Sequence, residues 1–409
     1  MSIASPVASL PERAGSEPAR VEETSGRIPV PICFAKLFRT ASNGEDLISL
    51  REQVIAQLRS NSVAAAAALT SLCTIEQLLL DQASGLAYQA RALGLHRLYR
   101  SAWPASPDAL RLLAFKAAGD FSTNTPIEFL LEGSDVILYS LYVIPGQNLP
   151  PLPEHDIAIF TAGESDRDRP VMQMMSQLIP TWPCPVLNLP DRVVNLSREN
   201  LPRLLRDVPG VVVPMAVRMN RAELEKNKSF PIIARPVGSH AGRGLAKLNT
   251  VGDVHAWLDL QRDLEFFVSP YFDYKSVDGN FRKYRIVWID GRPYPCHMAI
   301  ADRWDVWYYN SGMEASSGKR IEEEHFISTF DGGFAVRHAA ALAAIAARMG
   351  LEYVGIDCAE LPDGRLIVFE ADISLVVHDL DSPEVYPYKS RPMQAIFTAF
   401  YDMLKRRSM

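Results

Sequence analysis

The sequence lacks the features that mark membrane-spanning, secreted and zinc-binding proteins. It contains no run of about 18 apolar residues, the length that a membrane-spanning helix needs. It also has no basic N-terminal segment followed by an apolar one, as a signal peptide would have. Its five cysteines, none in a Cys-x-x-Cys or Cys/His pair, are expected to be reduced and mostly buried thiols. These absences predict a cytoplasmic protein without a membrane partner.

An excess of positive charge is also missing. The 409 residues include 42 Lys and Arg against 48 Asp and Glu, a formal net charge of -6. This balance argues against a nucleic-acid-binding surface spread over the whole protein, so any bound phosphate is expected on a small molecule. With 48% hydrophobic residues the composition is that of a globular protein, and the length predicts two or three domains.

The first half of the chain divides into three segments. Residues 1–28 are rich in Ser, Pro, Glu and Arg without apolar periodicity and predict a disordered tail. Residues 29–104 have helical spacing and a hairpin like one tetratricopeptide unit. A repeat array needs about three units, so a plain helical cap and a partner-binding remnant are both open. In residues 105–190, short apolar runs alternate with helix-like stretches, which predicts an α/β domain with a parallel sheet. Its loops at 119–125 and 161–165 follow strands and are either ligand-binding loops or turns.

A glycine-rich turn joins two apolar strands between Phe230 and Leu248. Gly238, Gly242 and Gly244 allow backbone N–H groups to approach phosphate oxygens without obstruction by a Cβ atom. The segment is not a Walker A loop, because Gly-Lys-Ser/Thr is absent, nor a dinucleotide fingerprint, because a strand follows the glycines. A phosphate lid and an ordinary flexible turn are both open.

A second predicted hairpin, Gly279–His297, turns at Asp290-Gly291 and carries three basic residues into an otherwise apolar strand. Of these, Lys283 and Arg285 lie on one face, because strand side chains alternate. Burying this face requires an anion, whereas an exposed edge strand protected by charge is the alternative.

Three carboxylates stand at the ends of the last two predicted strands. The first strand, 353–357, ends in Asp357, and the second, 366–372, ends in Glu370 and Asp372, which point to the same side. Such a group would repel strongly unless a cation lay among them, and hard oxygen ligands suit Mg²⁺. The sequence therefore predicts a metal site at these carboxylates; acidic residues fraying into solvent are the alternative.

Together, the segments from about 186 to 406 resemble the ATP-grasp superfamily of carboxylate–amine ligases, in a bacterial form with tetratricopeptide-like helices at its N-terminus. The fold implied is α/β: a two-lobe ATP-grasp domain at 191–409, preceded by the small parallel α/β domain and the helical hairpin. The resemblance implies an enzyme, an ADP-forming ligase that joins a carboxylate to an amine or thiol through an acyl phosphate. A phosphotransferase, or a nucleotide-binding interaction protein with weakened catalysis, is the alternative.

The resemblance also implies roles for individual residues. Arg235 stands where a Lys usually reaches the ATP phosphates, and it keeps the charge while adding bidentate geometry. Arg285 matches an arginine that contacts the transferred phosphate, so Arg235 and Arg285 are the predicted catalytic residues. Asp372 replaces a usual Asn and keeps an oxygen ligand. A further phosphate contact is expected from Arg198, with Arg203 as the alternative.

The remaining expectations complete the predicted site. The ATP-binding residues are Arg198, Arg235, Gly238, Ser239, Gly242, Gly244, Val268, Ser269, Tyr271 and Phe272. The substrate-binding residues are Lys283, His297, Asn310 and His378. The implied cofactors are ATP and more than one Mg²⁺ ion, with Mn²⁺ as a substitute. The implied partners are small-molecule or peptide carboxylates and amines, with a protein partner at the helical region and a homodimer left open.

Overall fold

The computed structural model describes residues 28–59, 61–103, 105–239 and 242–409. The predicted tail therefore lies, except for its last residue, outside the described residues. Within these ranges, no helix is long and apolar enough to cross a membrane. The five cysteines are free thiols, three of them buried, as predicted.

Four helices form the N-terminal region, and three of them begin at a side-chain cap. Asp46, Asn61 and Asp81 accept hydrogen bonds from backbone N–H groups in the first turns of α2, α3 and α4. Helical structure ends at Leu95, before the end of the segment 29–104 predicted as helical, because His96 adopts an extended backbone and a strand follows. The helices are α1 (Phe34–Ser42), α2 (Leu47–Ala56), α3 (Ser62–Leu78) and α4 (Gln82–Leu95).

The predicted parallel α/β unit is present. Its sheet has the order β1-β3-β2-β4-β5, with β1 antiparallel and the other neighbours parallel. Helices and the other sheet elements cover both faces, which explains the continuous apolar runs of its strands. The strands are β1 (Leu98–Arg100), β2 (Leu110–Lys116), β3 (Val136–Tyr142), β4 (Ile157–Phe160) and β5 (Val186–Leu187). The helices are α5 (Ile127–Leu130), α6 (Arg169–Leu178), α7 (Pro190–Val193) and α8 (Leu201–Leu204).

A small lobe follows, built on a four-stranded antiparallel sheet of order β7-β10-β8-β9. Capping boxes at Asn220 and Thr250 begin its two helices. The small lobe has a separate apolar core, which includes Trp257 and Phe266, and the centroids of these two rings lie 4.9 Å apart. Its elements are β7 (Val217–Asn220), α9 (Arg221–Glu225), β8 (Ile232–Pro236), β9 (Ala246–Leu248), α10 (Val251–Leu260) and β10 (Glu265–Pro270).

A third sheet, of order β12-β11-β13-β14-β6, completes the fold. Asp290 and Gly291 both have positive φ, as the two-residue turn predicted between β11 and β12 requires. Its strands are β6 (Val211–Val212), β11 (Phe281–Ile289), β12 (Arg292–Ala301), β13 (Tyr353–Glu360) and β14 (Leu366–Asp372). Its helices are α11 (Ser317–Ser328), α12 (Phe334–Arg337), α13 (Ala339–Met349) and α14 (Ser390–Arg407).

The first and third sheets share one apolar core. Phe115 and Phe160 of the first sheet belong to the same buried cluster as Ile286 and Trp288 of the third. The small lobe is not part of this cluster. The predicted α/β fold class is confirmed: three sheets of mixed α/β structure follow a set of N-terminal helices.

Candidate functional site

A cavity of about 900 Å³ opens between the small lobe and the third sheet. The small lobe contributes side chains from β8 and β10, and the third sheet contributes β11, β12, β13 and β14. This cavity, called the cleft below, contains most of the residues predicted as functional. Its size is that of a small-molecule binding site.

Asp357 lies in the floor of the cleft and is 1% exposed. Its cross-strand neighbour Arg285 donates from Nε to Oδ1 at 2.8 Å and from Nη2 to Oδ2 at 3.1 Å. The Lys283 ammonium lies 2.8 Å from Oδ2. Burial opposes ionisation most strongly, but the two cations outweigh it and hold the pKa of Asp357 well below its usual range. The shared face predicted for Lys283 and Arg285 is confirmed, and a carboxylate is the anion that lies against it.

Glu370 stands opposite Asp357 on the neighbouring strand. Its carboxylate pairs with Arg198, whose Nη1 also donates to the Phe369 carbonyl at 3.4 Å. Burial acts most strongly on Glu370 and raises its pKa, but Arg198, Lys283 and Arg235 together outweigh it and the net shift of the pKa is downward. Arg203, the alternative in the sequence, is exposed on α8 and does not line the cleft, so the geometry favours Arg198.

Asp372 is held by its own loop. Its two carboxylate oxygens accept from the Ser374 backbone N–H at 2.9 Å and the Ser374 hydroxyl at 2.8 Å. Burial raises the pKa of Asp372 to about 6, despite these hydrogen bonds. Gly163, in the loop after β4, packs so closely that a Cβ there would lie 2.8 Å from Ser374 Oγ. Burial also raises the pKa of its neighbour Glu164 to about 7. The loop at 161–165 therefore packs against the strand end that carries Asp372, although none of its residues lines the cleft.

The three carboxylates share one face, as predicted, but a metal ion is not needed to explain them. Arg198, Lys283 and Arg285 already offset the charges of Asp357 and Glu370. No group of three or more His, Cys, Asp or Glu side chains that could hold a metal occurs among the described residues. The charges of these carboxylates therefore do not by themselves require a metal ion, because Arg198 and two residues of β11 already lie against them. The metal site at Asp357, Glu370 and Asp372 stays a prediction.

Arg235 enters the cleft from β8 of the small lobe. Its Nε donates to Ser239 Oγ at 3.1 Å, and a second guanidinium nitrogen donates to the Ser239 carbonyl. Burial and, to a smaller extent, the neighbouring Arg198 lower the pKa of Arg235 to about 9. Two arginines are thus held close together, against their repulsion, at the edge of the cleft. This arrangement favours binding of an anion between them.

The glycine-rich turn begins directly after β8, the strand that carries Arg235. Gly238, Gly242 and Gly244 all have φ near +70°, a conformation that side chains other than glycine rarely adopt. A Cβ at Gly244 would also lie 2.7 Å from the Pro236 ring. Gly242 lines the cleft, whereas residues 240 and 241 lie outside the described ranges.

Four of the predicted ATP-binding residues, Val268, Ser269, Tyr271 and Phe272, lie along β10 and just beyond it. Ser269, Tyr271 and Phe272 line the cleft, but Val268 is buried in the core of the small lobe. The Lys247 ammonium lies 3.5 Å from the centroid of the Tyr271 ring, which is a cation–π contact. Three of the four predicted positions therefore present side chains to the cleft.

The cleft continues past Arg285 into what we call its far end, lined by Phe38, His297, Tyr308, His378, Asp381 and Lys389. His297 lies opposite Arg285 on β12, and its buried Nδ1 has no hydrogen-bond partner in the described part of the chain. Burial and the nearby Arg285 hold the pKa of His297 well below its usual value. His378 Nδ1 accepts from the Leu380 N–H at 3.1 Å.

Asn310 also lines this part of the cleft, but its side chain mainly holds its own loop. Its Oδ1 accepts from the Trp307 N–H at 2.9 Å, and its Nδ2 donates to the Asp305 carbonyl at 3.2 Å. Most of its hydrogen-bonding capacity is therefore used within residues 305–310. The loop itself presents Trp304 and the largely exposed Tyr309 at the rim of the cleft.

A buried polar network at the far end was missed in the sequence. Lys389, at the start of α14, lies 2.9 Å from Asp381 and 3.4 Å from Glu323, which is 0% exposed. The hydroxyls of Tyr308 and Tyr388 donate to Glu323 at 3.1 and 2.6 Å. These five residues come from three separate segments, none of which carries a motif. Asp381, Tyr388 and Lys389 follow the carboxylate strand, whereas Tyr308 and Glu323 precede it by more than 40 residues.

Asp372→Asn is expected to stabilise the ligand-free protein about twice as much at pH 8 as at pH 5. The folded pKa of about 6 lies above the ordinary value of 3.8, so the folded state keeps a proton that the unfolded state releases. Stability is therefore lost as the pH rises between these values. The neutral Asn avoids this loss, which is at most about 3 kcal/mol, and less because the side chain is partly exposed.

Urea unfolding in EDTA at both pH values measures this effect. Asp363→Asn, in the exposed turn of the same hairpin, is the control and should leave the unfolding free energy nearly unchanged. A gain of the same size at pH 5 and pH 8 would contradict the explanation.

No protein-family model matches the chain, and no curated protein matches it significantly. Among solved structures, it is similar to a RimK-domain ATP-grasp protein from Sphaerobacter thermophilus, with a TM-score of 0.44, 14% identity, and coverage of 72% of this chain and 99% of that one. It is also similar to the VanG D-Ala:D-Ser ligase from Enterococcus faecalis, with a TM-score of 0.43, 12% identity, and coverage of 74% of this chain and 100% of that one. For the D-alanine–D-alanine ligase from Bacillus anthracis, in complex with ATP, the TM-score is 0.40 and the identity 13%, with coverage of 73% of this chain and 97% of that one. Similarities of this size do not by themselves assign a reaction or the role of a residue.

Proposed function

We propose that the protein is an ATP-dependent ligase that joins a carboxylate to an amine through an acyl phosphate and releases ADP and phosphate. One observation carries the proposal: four cationic side chains meet three carboxylates from one face of the third sheet in a single cleft between two β-sheet lobes. The cationic residues are Arg198, Arg235, Lys283 and Arg285. The carboxylates are Asp357, Glu370 and Asp372.

The charges of the cleft suit a polyphosphate. Four cations exceed three carboxylates, and the pKa of about 6 makes Asp372 the easiest of the three to neutralise. Because the groups are partly or wholly removed from water, their attraction for phosphate oxygens is stronger than at an exposed surface. Phosphoryl transfer depends mainly on positioning and on offsetting charge, which is what fixed arginines provide.

The two arginines at the glycine turn have the geometry of phosphate ligands. Arg235 and Arg198 are close enough for each to affect the other, and Arg198 is held meanwhile by Glu370. When nucleotide binds, Arg198 would exchange this carboxylate for a phosphate oxygen. The backbone of the turn around Gly242 would cover the phosphates from the small-lobe side.

The carboxylate face has the donor type that suits Mg²⁺. Asp357, Glu370 and Asp372 offer oxygen atoms on one side of the paired strands. They do not form a complete metal site by themselves, so these residues would hold Mg²⁺ together with phosphate oxygens of ATP. Bound Mg²⁺ would offset charge on the phosphoryl group being transferred. Within the chain, Lys283 and Arg285 keep Asp357 ionised, and Ser374 orients Asp372. These residues therefore hold the proposed ligands in their charged, aligned form.

The adenine ring would fit between the apolar walls of the two lobes. Ile233 and Phe267 line the cleft from the small lobe, and Ile367 and Phe369 line it from the third sheet. Such a sandwich excludes water from both faces of a flat ring. Edge hydrogen bonds would come from the backbone beyond β10.

The reaction can be tested with the wild-type protein and isotope-labelled carboxylates. We expect Mg²⁺-dependent ATP binding by calorimetry and ADP release when pools of carboxylates and amines are supplied together. A carboxylate labelled with ¹⁸O should transfer one label to the released phosphate, because its oxygen attacks the γ-phosphorus and stays with phosphate when the amide forms.

Each other result identifies a different function. A phosphorylated hydroxyl compound without label transfer would replace the ligase by a phosphotransferase. ATP binding without ADP release from any pool would indicate a nucleotide-binding protein and would overturn the proposal.

A further inference from the structure

One arginine fastens the small lobe to the rest of the protein. Arg218 lies in β7, an edge strand of the small-lobe sheet. Its Nη1 lies 2.7 Å from Asp166 Oδ2, and its Nη2 lies 3.4 Å from Glu199 Oε2. Asp166 lies between β4 and α6, and Glu199 lies just before α8, so neither carboxylate belongs to the small lobe. We call these three residues the latch.

The latch is the main polar link between the two parts. In the described part of the small lobe, residues 217–239 and 242–270, no other side chain forms a hydrogen bond or ion pair with the described residues outside it. The apolar core of the small lobe is likewise separate from the core of the first and third sheets. Any movement of the small lobe away from Asp166 and Glu199 must therefore break the latch.

Neighbouring groups hold both sides of the latch in place. Arg218 stands opposite Phe267 on β10, and its guanidinium carbon lies 5.3 Å from the centroid of that ring. Glu265 of the same lobe lies 3.4 Å from Nη1. On the other side, Arg169 of α6 lies 3.0 Å from Asp166. Because the charged groups form a network, the latch is stronger than an isolated ion pair at a surface.

The latch lies beside the part of the cleft proposed for the nucleotide. Phe267, which contacts Arg218, also lines the cleft as one wall of the proposed adenine pocket. Glu199 directly follows Arg198, the proposed phosphate ligand. The latch thus connects the two parts of the protein at the edge where a nucleotide would enter.

The latch is weak enough to open repeatedly. The side chain of Arg218 is 26% exposed and that of Asp166 is 46% exposed. Ion pairs of this exposure contribute modestly, so the two pairs together change an opening equilibrium by about three- to tenfold. A contact of this strength slows the opening of a lobe without preventing it.

We propose that the latch is a gate that sets how fast nucleotide enters and leaves the cleft, because it holds the small lobe against the rest of the protein. This inference rests on the proposed binding of ATP in the cleft and does not depend on the acceptor. The latch joins protein groups only and needs no nucleotide to form, so it slows entry as well as release. A residue that bound ATP directly would slow release alone.

Stopped-flow fluorescence with Mg²⁺ and an ATP labelled on its ribose measures both rate constants in the full-length protein. Arg218→Met keeps an unbranched side chain over Phe267 but removes the charge. We expect it to raise both the association and the dissociation rate constants about three- to tenfold, and to leave Kd within about twofold of the wild-type value. Asp166→Asn should cause most of the same rise. The two changes combined should add little, because both break the same contact.

Glu265→Gln is the matched control. It also removes a carboxylate that lies against Arg218, but one within the small lobe. Both rate constants should therefore stay within about twofold of the wild-type values. Reversal of the pair tests the contact itself: Arg218→Glu combined with Asp166→Arg should exchange nucleotide more slowly than Arg218→Glu alone.

Three results overturn the gate and leave ATP binding standing. They are unchanged rates in Arg218→Met, faster release without faster entry in that variant, and an equal rise in Glu265→Gln. The second of these would make Arg218 a direct nucleotide ligand. If the wild type does not bind the labelled ATP or ATP itself, both the gate and the proposed function are wrong.

Discussion

Asp357→Ala is expected to lower the free energy of unfolding by about 3–5 kcal/mol, the cost of removing one partner from a buried ion pair. The substitution leaves Lys283 and Arg285 facing each other with no carboxylate between them. Both side chains are mostly buried, at 17% exposure, so water cannot fully replace the lost partner. Chemical denaturation at pH 7 measures the loss.

Two comparisons make this prediction specific. Asp302→Ala removes an exposed carboxylate just after β12 and should change stability little. Replacing Asp357, Lys283 and Arg285 together by Leu, Met and Met should recover much of the lost stability, because no charge remains buried. The triple variant should not bind ATP. If Asp357→Ala is as stable as the wild type, the carboxylate of Asp357 does not offset the buried charges of Lys283 and Arg285 as described above.

Glu370→Gln is expected to reduce turnover about 100- to 1000-fold, the effect of removing one charged group from a preorganised electrostatic site. The amide keeps the shape of the side chain but loses the charge that pairs with Arg198 and would bind metal. Without that charge, Arg198 has no anionic partner in the nucleotide-free state. Steady-state ADP release measures the change, once a carboxylate and amine pair is found.

Asp372→Asn is the matched comparison for turnover. It also removes one negative charge from the same strand face, but its amide oxygen could still bind the proposed metal ion, and Ser374 can still bond to it. It should therefore retain at least about a tenth of wild-type turnover. Equal losses in the two variants would mean that the charge of the strand face, and not a metal-binding role of Glu370, controls the reaction.

The hairpins of the third sheet could be predicted because their sequence has strand alternation and explicit turns. Asp290-Gly291 gave the turn between β11 and β12, and the i, i+2 spacing of Glu370 and Asp372 gave their common face. The same reasoning found the alternation of strands and helices in the parallel α/β domain. In each case the pattern is local, so neighbouring residues contain the whole signal.

The pairing of charges could not be predicted in this way. Sequence spacing placed Lys283 and Arg285 on one face and Asp357 on another strand, but only the register between β11 and β13 brings them together. Arg198 meets Glu370 across a long separation in the chain. The carboxylates therefore seemed to need a metal, because their organic partners depend on tertiary structure.

The far end was harder still to predict. Lys389 and Glu323 are single charged residues on helices, and on a helix most such residues face solvent. Phe38 lies in α1, whose first residues precede the region where the helical pattern becomes clear. A buried polar network assembled from distant segments leaves no periodic signal in any one of them.

The division of the apolar cores determines which parts of the molecule can move. Since the first and third sheets are packed into one cluster, displacing one against the other would break close contacts across the protein interior. The small lobe has a separate core around Trp257 and Phe266. It can rotate as a rigid body about the segments that join it to the rest, carrying Arg235 and the glycine turn toward or away from the fixed carboxylates. Nucleotide entry and release would then require a hinge motion of one lobe, with the chemistry confined to its closed position.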